Sequence, residues 1–238
     1  MKIFVISLKT SVERHIKVAE ALKGVCFSFF DAENIKANPQ HSIFSLYDGD
    51  KTKKYKGYKL TTPELGCFAS HISLWKQCVA DGEVFLVLED NLALFGDLKS
   101  QLENIERLTT QYGVVKLGNI FERKFADIEP IDEQYKLISN LKGACGTSAY
   151  AITPQAAKNY LNQVDGFFEP VDDFMDNEWR TNQTLYSYHP KLVSRSDAAS
   201  VIGQRKNKAK LGLANKLLVE LYRLLKQFKQ SNYNKSHK

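Results

Sequence analysis

The chain has 238 residues, of which 43% are hydrophobic and 25% charged, a balance that excludes a disordered or fibrous protein and allows one full core plus a tail. The formal charge of +6 is unevenly spread: residues 203–238 hold ten Lys or Arg against one Glu, a local +9, so residues 1–202 carry −3. Basicity belongs to the tail, which argues against a nucleic-acid-binding body, and no apolar run of about 18 residues offers a membrane span.

Lys2 to Leu8 reads as a first strand and enters it without a signal-peptide pattern, so a cytoplasmic protein is expected. Lys9 to Leu22 reads as a helix, with Thr10 or Ser11 as cap and Val12, Ile16, Ala19 and Leu22 at helical spacing, and Val25 to Phe30 reads as a second strand. Strand, helix, strand is the opening of an α/β protein with a parallel sheet. Residues 31–62 lose all periodicity and include KTKKYKGYK, so they are expected to form an irregular, partly mobile loop whose lysines either face a site or are simply solvated. Thr62 to Val79 is expected to be helical, with Leu65, Phe68, Ile72, Trp75 and Val79 as its apolar stripe.

Val84 to Leu88 is an apolar run with no polar face, the mark of a central strand covered on both sides, and it ends abruptly in Glu89, Asp90 and Asn91. A helix over 101–110, a strand over 114–117 and a long polar connection over 118–136 follow. A strand ending at Thr153, a helix from Pro154 to Leu161, an acidic stretch VDGFFEPVDDFMD and a last strand near Tyr186 complete the body. The four cysteines, Cys26, Cys67, Cys78 and Cys145, form no CxxC pair and read as reduced thiols.

Four clusters carry candidate chemistry. Glu89 and Asp90 stand at the carboxyl end of a central strand, where open α/β sheets bind ligands, and hard divalent cations prefer such oxygen donors; alternatively Asp90 or Asn91 only caps the next segment. Gly66 is disfavoured in the helix that carries Ser70 and His71, as if something must approach closely, while a lone His is more often a hydrogen-bonded core residue. In GACGTSAYAIT, Gly146 and Thr147 can bring backbone amides to an anionic ligand, or belong to a bulged strand. Among the later acids, Asp172 or Asp173 suits a general base.

Taken in order, FVISLKTSVERH, ELGCFASHISLW, VFLVLEDN, KLG, GTSAYAITPQAA and PVDDFM resemble glycosyltransferase family 25, enzymes of bacterial lipooligosaccharide synthesis, over Lys2 to about Tyr188. The resemblance implies a GT-A-like fold, a nucleotide-sugar-binding sheet flanked by helices, and inverting transfer of a hexose from UDP-galactose to a terminal sugar of lipooligosaccharide. It places Ser7, Leu8 and Arg14 at the nucleotide, and Glu64, Gly66, Ser70 and His71 on a helix bordering donor and acceptor. The family's acidic triplet is Glu-Asp-Asp, whereas this chain has Glu89, Asp90 and Asn91, so a Mn²⁺ or Mg²⁺ ion at Asp90 and Asn91 would be held with one charge fewer. For the catalytic base, Asp172 or Asp173 ranks before His71. A noncatalytic nucleotide- or carbohydrate-binding protein with a degenerate metal site is the competing reading.

The division expected is a catalytic domain over 1–202 and a basic amphipathic helical tail over 203–238. Leu211, Ala214, Leu218, Leu221, Leu225 and Phe228 recur every three or four residues among lysines and arginines. Such a stripe suits an anionic surface on the inner face of the inner membrane, or packing on the body or a second subunit. No nucleic acid is expected as partner.

Overall fold

Phe85 to Leu88 is buried at every position because it threads the middle of an eight-stranded sheet. The computed structural model describes residues 1–196 and 212–237. The first half contains β1 (Lys2–Ser7), α1 (Val12–Ala21), β2 (Ser28–Asp31), α2 (Ile43–Leu46), α3 (Gly49–Lys56), α4 (Thr62–Asp81), β3 (Phe85–Glu89), β4 (Leu92–Leu94), α5 (Leu102–Tyr112) and β5 (Val114–Lys116). The second contains β6 (Phe125–Pro130), β7 (Lys136–Asn140), β8 (Ala149–Ile152), α6 (Pro154–Leu161), α7 (Val171–Met175), α8 (Glu178–Thr181), β9 (Tyr186–His189), β10 (Val193–Arg195) and α9 (Leu213–His237).

The sheet order is β2-β1-β3-β8-β5-β9-β7-β6, and β4 and β10 form a separate antiparallel ribbon. β1 runs parallel to β2 and β3, as the strand, helix, strand opening predicts, but β8 is antiparallel to both β3 and β5, so the sheet is mixed. Alternation across the pleat explains the unbroken apolar run. Phe85 and Val87 join Ile6, Phe68, Trp75, Tyr150, Tyr160 and Phe174 under α4, α6 and α7, while Leu86 and Leu88 join Val5, Val18, Ile105 and Leu108 under α1 and α5. The result is a mixed α/β architecture with a large central sheet flanked by helices.

Three expectations need correction. Residues 31–62 contain α2 and α3: Asp48 caps α3 by accepting from the Lys51 amide at 2.8 Å, and the segment is anchored by buried Ile43 and Thr52 and by the Tyr47 ring against Phe167. The polar connection over 118–136 holds β6, an edge strand whose alternation involves only half-buried residues and is therefore faint in sequence. In α4, Val79 is exposed, whereas Ser70, His71 and Leu74, outside the expected stripe, are fully buried, because α4 is covered almost all round.

Helix α9 packs on α3 and α8 with a polar and aromatic face. Tyr222 and Lys226 reach Glu169, Gln230 donates to Glu178, and Tyr233 meets Thr184 at 2.9 Å. Its opposite face is apolar and open: Leu217, Leu221, Leu224, Leu225 and Phe228 are all at least 47% exposed. The stripe is thus shifted from the expected one, with Leu218 half-buried; residues 203–211, including Leu211, lie outside the described residues. No helix among the described residues is long and apolar enough to cross a membrane.

Candidate functional site

Strand polarity gathers the candidate residues at one edge of the sheet. Ile6 pairs with Glu89 and Ser7 with Asp31, so β1, β2 and β3 end together, and antiparallel β8 begins there, its preceding Ser148 carbonyl accepting from the Glu89 amide at 2.9 Å. Above this edge opens a cleft of about 350 Å³ lined by Ser7, Leu8, Arg14, Gly66, Cys67, Ser70, Glu89, Asp90, Asn91 and Arg195. Position at the carboxyl ends of parallel strands is where open α/β sheets take their ligands.

Both oxygens of Asp90 are engaged. Arg14 Nη1 donates to one at 2.6 Å and Ser7 Oγ to the other at 2.7 Å, with His15 Nε2 at 3.0 Å behind Ser7. Beside it, the buried Oδ1 of Asn91 has no hydrogen-bond partner among the described residues. An orphaned buried acceptor next to a carboxylate is a donor set that a hard divalent cation fits, since each carboxylate oxygen keeps a further lone pair.

Glu89 is held from below. Thr147 Oγ1 donates to it at 2.6 Å, and His71 Nε2 lies 3.9 Å away. Trp75 Nε1 donates to the Tyr150 hydroxyl at 2.9 Å, which leaves that hydroxyl's own proton for His71 Nδ1 at 2.8 Å. With Nδ1 accepting, the ring hydrogen of His71 is on Nε2, on the side of Glu89. Burial works against the Glu89 charge, but His71, Thr147 and the field of Arg195 outweigh it and hold the carboxyl below its usual range. Cys67, His71 and Glu89 have ligand atoms within 4.8 Å of one another, a set suited to a softer metal than Mg²⁺. Burial, then the charges of Glu89 and Asp172, push the Cys67 thiol far up, so the thiolate such a metal needs is disfavoured.

The other helix candidates build the cleft wall. What approaches Gly66 is backbone: a Cβ there would stand 2.7 Å from the Glu33 carbonyl oxygen. Ser70 Oγ accepts from the Glu33 amide at 2.9 Å and donates to the Gly66 carbonyl at 2.8 Å, fastening residues 33–35 to α4. Glu64 closes a capping box with Thr61, its Oε2 accepting from the Thr61 amide at 2.8 Å. His71 is fully buried.

Three carboxylates of the acidic stretch take three different positions. Asp176 is buried, accepting from Lys116 Nζ at 2.6 Å and from the Cys145 amide at 2.6 Å. Cys145 and Gly146 both have positive φ, 55° and 92°, and this double left-handed turn delivers Thr147 to Glu89. Asp173 pairs with Lys56 at 2.7 Å and Lys226 at 3.7 Å. Asp172 has no cation within ion-pair distance among the described residues; burial, then Asp173 and Asp176, push its carboxyl up to about 6.

Arg195 and Lys116 are residues at or beneath the cleft that sequence reasoning did not single out, whereas Cys67, read from its glycine-containing segment as able to line a site without reacting in it, does line the cleft. Arg195 arrives through the pairing of β10 with β4, more than a hundred residues after Glu89. Lys116 carried a signal, a lone charge in the apolar stretch Val114 to Leu117, which a buried acid must neutralise.

The profile of glycosyltransferase family 25 (LPS biosynthesis protein) matches residues 1–175. The chain is similar to the lacto-N-neotetraose biosynthesis glycosyltransferase LgtE of Neisseria gonorrhoeae, 25% identical over 68% of this chain and 60% of that protein. It is 28% identical to procollagen galactosyltransferase 1-B of Xenopus laevis over 79% of this chain and 31% of that protein. It is also 30% identical to LgtB of Neisseria meningitidis serogroup B over 75% of this chain and 70% of that protein. The chain therefore spans less than two thirds of the length of the first two relatives. A solved UDP-glucose pyrophosphorylase bound to UDP-glucose superposes with a TM-score of 0.39 at 10% identity, covering 94% of this chain and 97% of that one, too distant to bear on the site. A profile match across most of the chain, together with a relative at 30% identity over three quarters of it, establishes that this protein belongs to glycosyltransferase family 25.

Proposed function

We propose that the protein transfers a hexose from a nucleotide sugar, UDP-galactose first, to a terminal sugar of lipooligosaccharide, with inversion and on a GT-A-type sheet. The observation that carries this reading is the convergence of Arg14, Glu89, Asp90 and Asn91 on one cleft at the carboxyl ends of β1 and β3. Galactose is favoured because relatives include procollagen galactosyltransferases, and a bacterial glycan acceptor because others are lacto-N-neotetraose biosynthesis enzymes.

In the reaction, the acceptor hydroxyl oxygen bonds to the donor's anomeric carbon on the face opposite the diphosphate. The bond from that carbon to the phosphate oxygen breaks, its electron pair leaves with UDP, and Asp172 takes the hydroxyl proton. Asp172 suits this role because its carboxyl is raised toward neutrality and is not tied to a cation as Asp173 is. Arg14 and Arg195 offset charge growing on the leaving diphosphate. Asp90 and Asn91 would hold Mn²⁺ or Mg²⁺, which when bound supplies further positive charge to that diphosphate.

Helix α9 supports a peripheral position on an anionic lipid surface. Its open face presents Leu217, Leu221, Leu224, Leu225 and Phe228, and Lys216, Arg223 and Lys229 are exposed on the same helix. Apolar side chains among basic ones match a bilayer that is apolar inside and negative at its surface. Co-sedimentation with anionic vesicles and none with zwitterionic vesicles is the expected result; equal behaviour with both removes this part of the reading.

The deciding experiment incubates the purified chain with a panel of UDP-sugars, terminal glucose, galactose and N-acetylglucosamine acceptors, and Mn²⁺ or EDTA, and weighs the products. A one-hexose mass gain from UDP-galactose, abolished by EDTA, is expected. Saturable UDP binding with no product from any pair would favour a noncatalytic binder.

A further inference from the structure

Helix α4 and the carboxyl end of β3 bring together a donor set unlike that of Asp90 and Asn91. Cys67 and His71 are four residues apart on α4, which puts them on one face, and Glu89 closes β3 against that face. The Cys67 sulfur, a His71 ring nitrogen and a Glu89 oxygen all lie within 4.8 Å of one another, and His71 Nε2 is 3.9 Å from Glu89 Oε1. A tetrahedral Zn²⁺ with bonds of about 2.0 to 2.3 Å holds its ligand atoms about 3.3 to 3.8 Å apart, so rotation of the Cys67 and Glu89 side chains closes the set without moving the backbone.

A second observation points to a ligand. His71 is fully buried, yet its Nε2 has no hydrogen-bond partner among the described residues. Native structures rarely leave a buried ring nitrogen so, and an ion would use it. The exchange costs no hydrogen bond. Without an ion, the Tyr150 hydroxyl accepts from Trp75 Nε1 at 2.9 Å and donates to His71 Nδ1 at 2.8 Å. With Nε2 on an ion, the ring hydrogen moves to Nδ1 and is donated to the same oxygen, whose second lone pair takes it. Two bonds remain, and the one unused hydrogen passes from His71 Nε2 to the Tyr150 hydroxyl.

Charge and access agree with this. Burial, then Glu89, Asp172 and Glu64, push the Cys67 thiol up, with Arg195 opposing them. The same carboxylates attract a dication, and on binding the sulfur releases its proton to solvent as the ion takes its place. Cys67 and Glu89 line the cleft above the sheet edge, so an ion enters from there, and a tetrahedral ion with three protein ligands keeps its fourth position toward the cleft.

We infer that Cys67, His71 and Glu89 form a cation site for Zn²⁺, separate from the hard-cation site at Asp90 and Asn91, with its fourth position taken by water or by an oxygen of a molecule in the cleft. Thiolate and imidazole select a softer ion, whereas the oxygen donors of Asp90 and Asn91 select Mg²⁺ or Mn²⁺. The inference goes beyond the transfer reaction and holds whichever sugar is moved.

The test adds Co²⁺, a spectroscopic stand-in for Zn²⁺, to the full chain under reducing conditions and without nucleotide. Cobalt held by a thiolate gives a charge-transfer band in the near ultraviolet that oxygen donors do not. The band is expected to saturate at one equivalent and to bleach when Zn²⁺ is added. It disappears in Cys67→Ser, with Zn²⁺ affinity lower by more than about a hundredfold, beyond the loss usual for a residue that only supports a ligand. Glu89→Gln keeps the band but weakens Zn²⁺ binding by about tenfold or more. The band persists in Cys26→Ser, Cys145→Ser and Asp90→Asn, and circular dichroism matching wild type shows each variant folded. No thiolate band, a band that survives Cys67→Ser, or one lost in Cys26→Ser overturns the inference. None of these readouts needs turnover, so a chain that shows the band but transfers no sugar overturns the proposed reaction and keeps the Zn²⁺ site, and a chain that transfers sugar without the band does the reverse.

Discussion

Two ion pairs in this protein have the same length, 2.6 Å, and opposite settings. Lys116 and Asp176 are buried, at 2% and 4% side-chain exposure, whereas Arg14 and Asp90 sit at the cleft above the sheet edge at 21% and 12%. The interior pair has nowhere to send its charges. Its acid also holds the Cys145 amide, so it fixes the loop that brings Thr147 to Glu89. The cleft pair borders open space, where, in the proposed reaction, a diphosphate or a cation would exchange with one partner. Equal geometry then serves unequal purposes: one pair is a fixed strut, the other, on that proposal, an exchangeable contact.

Breaking the strut should have the largest effect. Lys116→Met leaves a buried carboxylate unpaired and is expected to lower unfolding stability by about 3–5 kcal/mol in urea titrations, whereas Arg14→Met should lower it by about 1 kcal/mol or less. If the two losses were equal, the contrast between the pairs would be wrong.

Asp172, from the same acidic stretch but tied to no cation among the described residues, sharpens the contrast. Asp172→Asn should cut kcat by about a hundredfold or more with little change in donor affinity. The wild-type rate should rise with pH through a limb near pH 6, because the base acts only when ionised and its carboxyl is raised to about that value. Stability should move the other way. A carboxyl whose folded pKa exceeds its unfolded value of 3.8 costs stability fully above the folded pKa and not at all below the unfolded one. Asp172→Asn should therefore melt higher than wild type at pH 8 and at the same temperature below about pH 4.

The exchangeable pair should show itself in binding. Arg14→Gln is expected to weaken UDP-sugar binding about tenfold by calorimetry, and Asp90→Asn to reduce the difference in turnover between Mn²⁺ and EDTA. The smallest effect is expected farthest away. Leu221→Gln should weaken sedimentation with anionic vesicles several-fold and leave turnover on a soluble acceptor unchanged.

Much of the cleft at the sheet edge was legible because local pattern and topology agree there. An apolar run with no polar face has to be a central strand, and a central strand ending in Glu89 and Asp90 puts acids at a sheet edge. Gly66 announced a close approach, though not that the approaching group is the protein's own Glu33 carbonyl. Long-range pairings left no local trace. Nothing near Asp172 and Asp173 distinguishes them; the difference arises from Lys56, 117 residues away, which neutralises only Asp173. Helices α2 and α3 were missed because Ile43 and Thr52 are their main buried anchors, too few to set up a period. Arg195 reaches the site only through a three-residue strand pairing with β4.

The docked helix has a further consequence, one of height. With 25 residues, α9 is about 37 Å long and, side chains included, about 10 Å across. One face rests on α3 and α8 and the other is the apolar stripe, so a bilayer under Leu221 and Phe228 would stand one helix diameter from the body. On the proposed lipid surface the helix would act as a gauge, setting how far the cleft at the carboxyl ends of β1 and β3 stands from the membrane.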